Sequence, residues 1–190
     1  MKKNILPLVI SIFSISSPFS FALADDDYQG HRIGAGFSTT AVYLDTLFTN
    51  DWYDYGSGFK VEYGYDINRI FGINLSYETN KDAVSISNLS SSMDGTTFKI
   101  NSDIGYAFLL NGWAIKPYGS VGLVSYKEEG RVSCGSNCSI NSKYSDNTLS
   151  LGAGVRAHLD SGLYADFRND FFVTDNEDIA QLSLTLGYRF

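Results

Sequence analysis

The sequence predicts an all-β fold: an eight-stranded antiparallel transmembrane up-and-down β-barrel. Three observations carry that reading. The last eleven residues alternate without a break, with Ala180, Leu182, Leu184, Leu186, Tyr188 and Phe190 on one face and Gln181, Ser183, Thr185, Gly187 and Arg189 on the other. The same period of two recurs along the chain. The connections also alternate between tight and long, as in a barrel with short turns at one rim and long loops at the other. An apolar face turned to lipid leaves backbone groups that only a closed barrel can pair.

The strands follow in order. Ile33, Ala35, Phe37, Thr39, Ala41 and Tyr43 share a face opposite Arg32, Gly34, Gly36, Ser38 and Thr40. Phe59, Val61, Tyr63 and Tyr65 alternate with Lys60, Glu62, Gly64 and Asp66. After the turn Ile67-Asn68-Arg69, Phe71, Ile73, Leu75 and Tyr77 alternate with Gly72, Asn74, Ser76 and Glu78. The fourth strand sets Phe98, Ile100, Ile104, Tyr106 and Phe108 against Lys99, Asn101, Asp103, Gly105 and Ala107. Asn111-Gly112 is a hairpin signal. The fifth strand runs from Trp113 to Tyr126, with Ile115, Val121 and Leu123 placed outward and a bulge expected at Pro117. The sixth opposes Leu149, Leu151, Ala153, Val155, Ala157 and Leu159 to Ser150, Gly152, Gly154, Arg156 and His158. The seventh, after Asp160-Ser161-Gly162, opposes Leu163, Ala165, Phe167 and Phe171 to Tyr164, Asp166, Arg168 and Asp170, and the eighth is the C-terminal strand. Residues 44–57, 79–95 and 127–147 are expected to be long loops. Tyr43, Tyr65, Phe71, Tyr77, Phe108, Trp113, Tyr188 and Phe190 stand near strand ends, as interfacial aromatics do.

Composition agrees. The mean hydropathy is close to zero, as expected when half of each strand faces a polar interior. Met1-Lys2-Lys3, the apolar run Ile5–Ile15 and Ala22-Leu23-Ala24 form the three parts of a secretory signal, so residues 1–24 are read as a cleaved signal peptide and 25–190 as one barrel domain. Cleavage leaves 166 residues, and loss of Lys2 and Lys3 takes the formal net charge from −7 to −9. No basic patch suggests nucleic-acid binding. Cys134 and Cys138, the only cysteines, sit on an exported chain and are expected to form a disulfide. Two thiols without a neighbouring histidine make a poor zinc site. No metal site, cofactor or catalytic residue is predicted.

The inward face carries a charge network, above all Glu62, Lys99, Asp103, Arg156, Asp166 and Arg168. Buried charges need partners. Eight strands leave an interior just wide enough for side chains, so an ion-paired plug is expected, with a small conducting pore as the alternative. Trp52, Tyr53 and Tyr55 in the first long loop are candidate surface-contact residues, since aromatics on loops of a rigid scaffold often bind.

Gly64-Tyr65-Asp66-Ile67-Asn68, Lys116-Pro117-Tyr118-Gly119-Ser120-Val121-Gly122 and Leu186-Gly187-Tyr188-Arg189-Phe190 give the chain a resemblance to the small outer-membrane β-barrel superfamily. That superfamily includes the OmpA transmembrane domain, the OmpX/Ail group and the opacity-type surface antigens. The resemblance implies a place in a Gram-negative outer membrane with both termini periplasmic. It also implies recognition of Tyr188 and Phe190 by the barrel-assembly machinery, and contact with outer-membrane lipids and lipopolysaccharide. The implied function is non-enzymatic: envelope integrity and presentation of surface loops for adhesion or host interaction, with an unknown ligand. OmpA-like barrels place an acid on strand two facing bases across the lumen. Glu62, Lys99 and Arg168 match that arrangement by strand, while Arg156 stands where an acid is expected. A lipid A-modifying enzyme is the remaining alternative. The deacylase type carries a serine two residues after its histidine, where this chain has Asp160 after His158, and Asp25-Asp26-Asp27-Tyr28-Gln29 cannot form the amphipathic helix of the palmitoyltransferase type.

Overall fold

The computed structural model describes residues 28–45, 50–86, 89–134, 138–174 and 178–190. Within these it describes all side chains except those of 43–45, 50–55, 84–86, 89, 134 and 178. Residues 1–24, read as the signal peptide, lie outside the described residues. Nine strand segments form one antiparallel sheet: β1 (Gly30–Asp45), β2 (Asn50–Asp66), β3 (Phe71–Ile86), β4 (Leu89–Gly105), β5 (Phe108–Leu110), β6 (Trp113–Cys134), β7 (Ser139–Leu159), β8 (Leu163–Val173) and β9 (Asp178–Arg189). β4 and β5 both pair with β6, and β1 pairs with β9 from Arg32↔Arg189 to Tyr43↔Asp178. The sheet therefore closes on itself, and because β4 and β5 make one stave the barrel has eight. Closure leaves no unpaired sheet edge along the wall.

Alternation decides which face turns in. On β1, Arg32, Ser38, Thr40 and Val42 are buried, while Ile33 is 58% and Phe37 74% exposed. On β9, Gln181, Ser183 and Thr185 are buried and Leu184 and Leu186 exposed. A soluble barrel would invert this pattern. A polar interior inside a greasy wall is stable when the wall meets hydrocarbon.

The fourth strand and Pro117 differ from expectation together. The β6–β7 register runs unbroken through Pro117↔Val155, so Pro117 makes no bulge. The interruption falls on the facing stave, at Tyr106-Ala107 between β4 and β5. Proline has no N–H to donate across that pair. Tyr106 N still donates to the Pro117 carbonyl at 3.3 Å, but Ala107 N turns to the Arg69 carbonyl and Gly105 N to that of Ile70, each at 3.0 Å. A bulge does occur elsewhere. The β1–β2 register slips between Thr39↔Ser57 and Ala41↔Asp54, and there Gly56 adopts φ 91°, a conformation that glycine reaches without a Cβ clash.

The expected long loops are mostly strand. β1–β2 pairing continues to Asp45↔Asn50, β3–β4 to Ile86↔Leu89, and β6–β7 to Ser133↔Ser139. Continuing the ladder satisfies backbone groups that a loop would leave to water, and the register is inherited from the barrel below. Polar residues on both faces hide the alternation in the sequence. Trp52, Tyr53 and Tyr55 thus lie on the β2 backbone, not in a loop; their side chains, and that of Tyr43, are outside the described ones. Since β4 also pairs with β6 up to Leu89↔Cys134, β3, β4, β6 and β7 rise as one four-stranded sheet. β8 and β9 stop at Val173↔Asp178. The β6–β7 hairpin runs ten residues beyond Leu149, roughly 33 Å along the strand.

Candidate functional site in the barrel lumen

The inward positions of the eight staves bring charges together out of reach of bulk solvent. Among the described residues, the buried cations are Arg32, Lys60, Lys99, Lys116, Arg156 and Arg168, and the buried carboxylates are Glu62, Asp66, Glu78, Asp103, Asp166 and Asp170. The six of each sign balance. That balance is what a low-dielectric interior requires, because an unpaired buried ion is far more costly than a paired one.

Asp103 on β4 is the hub. Arg156 Nη2 and Arg168 Nη2 each reach it at 2.8 Å, and Arg32 Nη2 at 3.6 Å. Arg156 also holds Asp166 at 2.6 Å and Asp66 at 3.5 Å. Asp66 takes Arg32 Nε at 3.1 Å and Lys116 Nζ at 3.6 Å. The guanidinium groups of Arg156 and Arg168 both pack against Tyr118, 4.8 and 5.1 Å from its ring centre. Its hydroxyl donates to Asp166 at 2.5 Å and accepts from Arg168 Nε at 3.0 Å. A second cluster lies toward the long hairpins. Lys99 bridges Glu78 at 2.7 Å and Asp170 at 2.6 Å, and donates to Gln181.

By strand, the OmpA-like resemblance sets Glu62 against Lys99 and Arg168; the direct contacts of Glu62 are with nearer groups. It pairs with Lys60 at 3.1 Å, lies 3.9 Å from Arg32, and accepts from the Tyr164 hydroxyl at 2.9 Å. Lys60 is two residues away on the same strand and face, so it reaches Glu62 locally, while Lys99 is held by Glu78 and Asp170. Arg156, out of place by the OmpA-like pattern, is balanced by three aspartates.

Space for these side chains comes from glycines facing them. A Cβ on Gly64 would run into the Arg32 guanidinium, and one on Gly154 would strike the Tyr118 ring. Apolar residues gather toward both ends of the lumen. Val42, Val124, Tyr126, Phe172 and Ile179 cluster at the long-hairpin end, and Tyr28, Ala107 and Ala114 at the short-turn end. Tyr28, just before β1, bonds His158 Nε2 at 2.6 Å and lies under the Arg189 guanidinium, 4.6 Å from its ring centre. Burial, with Asp66 next in effect, pushes the Tyr28 hydroxyl up to about 12, so it stays protonated and can donate to His158.

Sequence reasoning missed Lys116, Tyr118 and the apolar caps. Pro117 blurred the faces of β6. Counting back in twos from outward Leu123 and Val121 would have placed Lys116 and Tyr118 inside. The caps carry no charge signal, but Val42, Phe172 and Ile179 occupy inward positions of strands already assigned. Tyr188 and Phe190 stand on the outer wall at the end of β9, both exposed.

The family model for the outer membrane protein beta-barrel domain matches residues 8–190. The chain belongs to that outer-membrane barrel family. Its place is accordingly the outer membrane. Among solved structures, Ail, the attachment invasion locus protein of Yersinia pestis, matches with TM-score 0.62 and 22% identity over 85% of this chain and 99% of that one. The N-terminal barrel of Pseudomonas aeruginosa OprF gives TM-score 0.54 at 18% identity, covering 85% and 100%. Neisserial surface protein A gives 0.55 at 16%, covering 84% and 97%. At these identities the likeness is one of fold. No curated protein matches the sequence.

Proposed function

We propose that this family member is a non-enzymatic surface protein. Its sealed barrel anchors an extracellular β-sheet that binds a partner outside the cell, and both termini lie on the periplasmic side. The observation that carries the reading is the pairing of an ion-paired lumen with a four-stranded sheet raised far beyond the wall. The raised sheet has two unlike faces. The outward face holds Lys81, Asp94, Lys127, Glu129, Arg131 and Lys143, with ion pairs Lys81–Asp94 at 3.0 Å and Lys143–Glu129 at 2.6 Å. It suits the phosphate-rich headgroups of lipopolysaccharide. The opposite face exposes Val132, Ile140 and Tyr144, apolar groups that a bound partner would cover. The structural neighbour Ail is described as an attachment invasion locus protein and has been crystallised with the heparin analogue sucrose octasulfate.

Cys134 and Cys138 flank the tip of the β6–β7 hairpin, each one residue beyond the last pair, Ser133↔Ser139. No cysteine is free among the described residues. A disulfide there would clamp the tip. The chain presents Tyr188 and Phe190 to the assembly machinery during insertion. An enzymatic role finds little support: His158 bonds Tyr28 and His31 bonds Tyr63, and among the described residues neither holds a serine.

The test is attachment of cells carrying wild-type protein, a deletion of residues 128–145, or V132S/I140S/Y144S. The reading expects attachment to fall at least several-fold in both variants while surface levels hold. Unchanged attachment contradicts it.

A further inference from the structure

We propose that the lipid-facing wall made by β9, β1, β2 and β3 carries a site for one inner-leaflet glycerophospholipid, with an acyl chain over Ala35 and the phosphate at His31. The orientation rests on the reading that the short-turn rim is periplasmic; the site itself is built from residues on this wall. Outward positions on β1 run His31, Ile33, Ala35, Phe37. Ala35 is small, and its cross-strand neighbours are Val61 on β2 and Leu186 on β9. Larger side chains stand to either side: Tyr63, Tyr77 and Phe98 on one flank, Leu163 and Tyr188 on the other. The result is a groove of about 790 Å³ in the wall, open along its length to the bilayer and lined almost wholly by carbon. That volume is within the range of ligand sites.

Tyr63, which lines the groove, links it to a polar group beyond it on β1. His31 Nδ1 lies 2.7 Å from the Tyr63 hydroxyl. Its ring rests against Tyr65, with centroids 4.8 Å apart, and stacks with Phe190 at 5.8 Å. With Tyr63 donating to Nδ1, the neutral imidazole keeps its proton on Nε2. In that tautomer the Nε2 N–H is a donor that a phosphate oxygen can accept. Four residues separate His31 from Ala35, about 13 Å along the strand. That span suits a headgroup at the aromatic rim and a chain in the groove. The inner leaflet supplies phospholipid; a lipopolysaccharide would meet the opposite rim.

The experiment is native mass spectrometry of full-length protein released from nanodiscs of phosphatidylethanolamine, with Kdo2-lipid A as competitor. Wild type is expected to retain one phosphatidylethanolamine. Ala35→Phe fills the groove from outside the barrel and should lower retention at least tenfold. His31→Ala and Tyr63→Phe should lower it several-fold, while Leu151→Phe on the far wall leaves it unchanged. Equal retention by wild type, Ala35→Phe and Leu151→Phe overturns the site as mere annular lipid, and preference for lipid A overturns both site and orientation. Heat-modifiable migration and periplasmic labelling of the N-terminus read the barrel and its orientation separately, so the site can fail while the proposed function stands.

Discussion

Asp103 is surrounded by three guanidinium groups and shielded from water, so its removal would strand more charge than it deletes. Asp103→Ala is expected to lower stability by about 3–5 kcal/mol, read as the urea midpoint of the folded gel band in liposomes. Lys81→Ala removes an exposed partner of Asp94 and should cost less than about 1 kcal/mol. Equal shifts would contradict the burial assigned to Asp103. At this scale the sequence told which residues face inward but not which of them meet. Parity puts Glu62, Lys99 and Arg168 in the lumen. Their heights depend on strand stagger, which no local pattern encodes, so Glu62 is found with Lys60 and Arg32. Gly64 and Gly154 read in the sequence as ordinary strand glycines, and only the structure shows the side chains that occupy their missing Cβ space.

Among the elements, the wall segments were legible because one face meets lipid and the other does not. The hairpin extensions were not, because above the membrane both faces meet water and the alternation fades. Pro117 misled for a related reason: a proline in a strand signals a lost hydrogen bond but not which strand shows the break. Gly56 is the element-scale pressure point. At φ 91°, with the Lys81 carbonyl against the place a Cβ would take, Gly56→Val should cost about 1–3 kcal/mol and open the β1–β2 hairpin to protease sooner than the wall. Protection equal to wild type would contradict the bulge. The β6–β7 extension is expected to be dispensable for closure: deletion of residues 128–145 should leave heat-modifiable migration intact, because the pairs from Trp113↔Leu159 to Ser125↔Asn147 can remain, with Tyr126, Lys127 and Asp146 as the turn.

For the whole molecule, two greasy surfaces enclose a charged interior: lipid outside the wall, and apolar caps at either end of the lumen. Balanced charge stabilises side chains packed in an interior just wide enough to hold them. The proposed partner and lipid sites accordingly lie on the raised sheet and the wall. The lumen's charge was visible from the sequence; the apolar cluster at its long-hairpin end was not, because Val42, Val124, Tyr126, Phe172 and Ile179 converge only when four strands are brought to one level. Planar-bilayer recording of the purified, refolded protein tests this most directly. A sealed barrel gives no steady unitary current in wild type. Stable, ion-selective channels that respond to Glu62 or Lys99 substitution would show the lumen to be a pore and contradict the account.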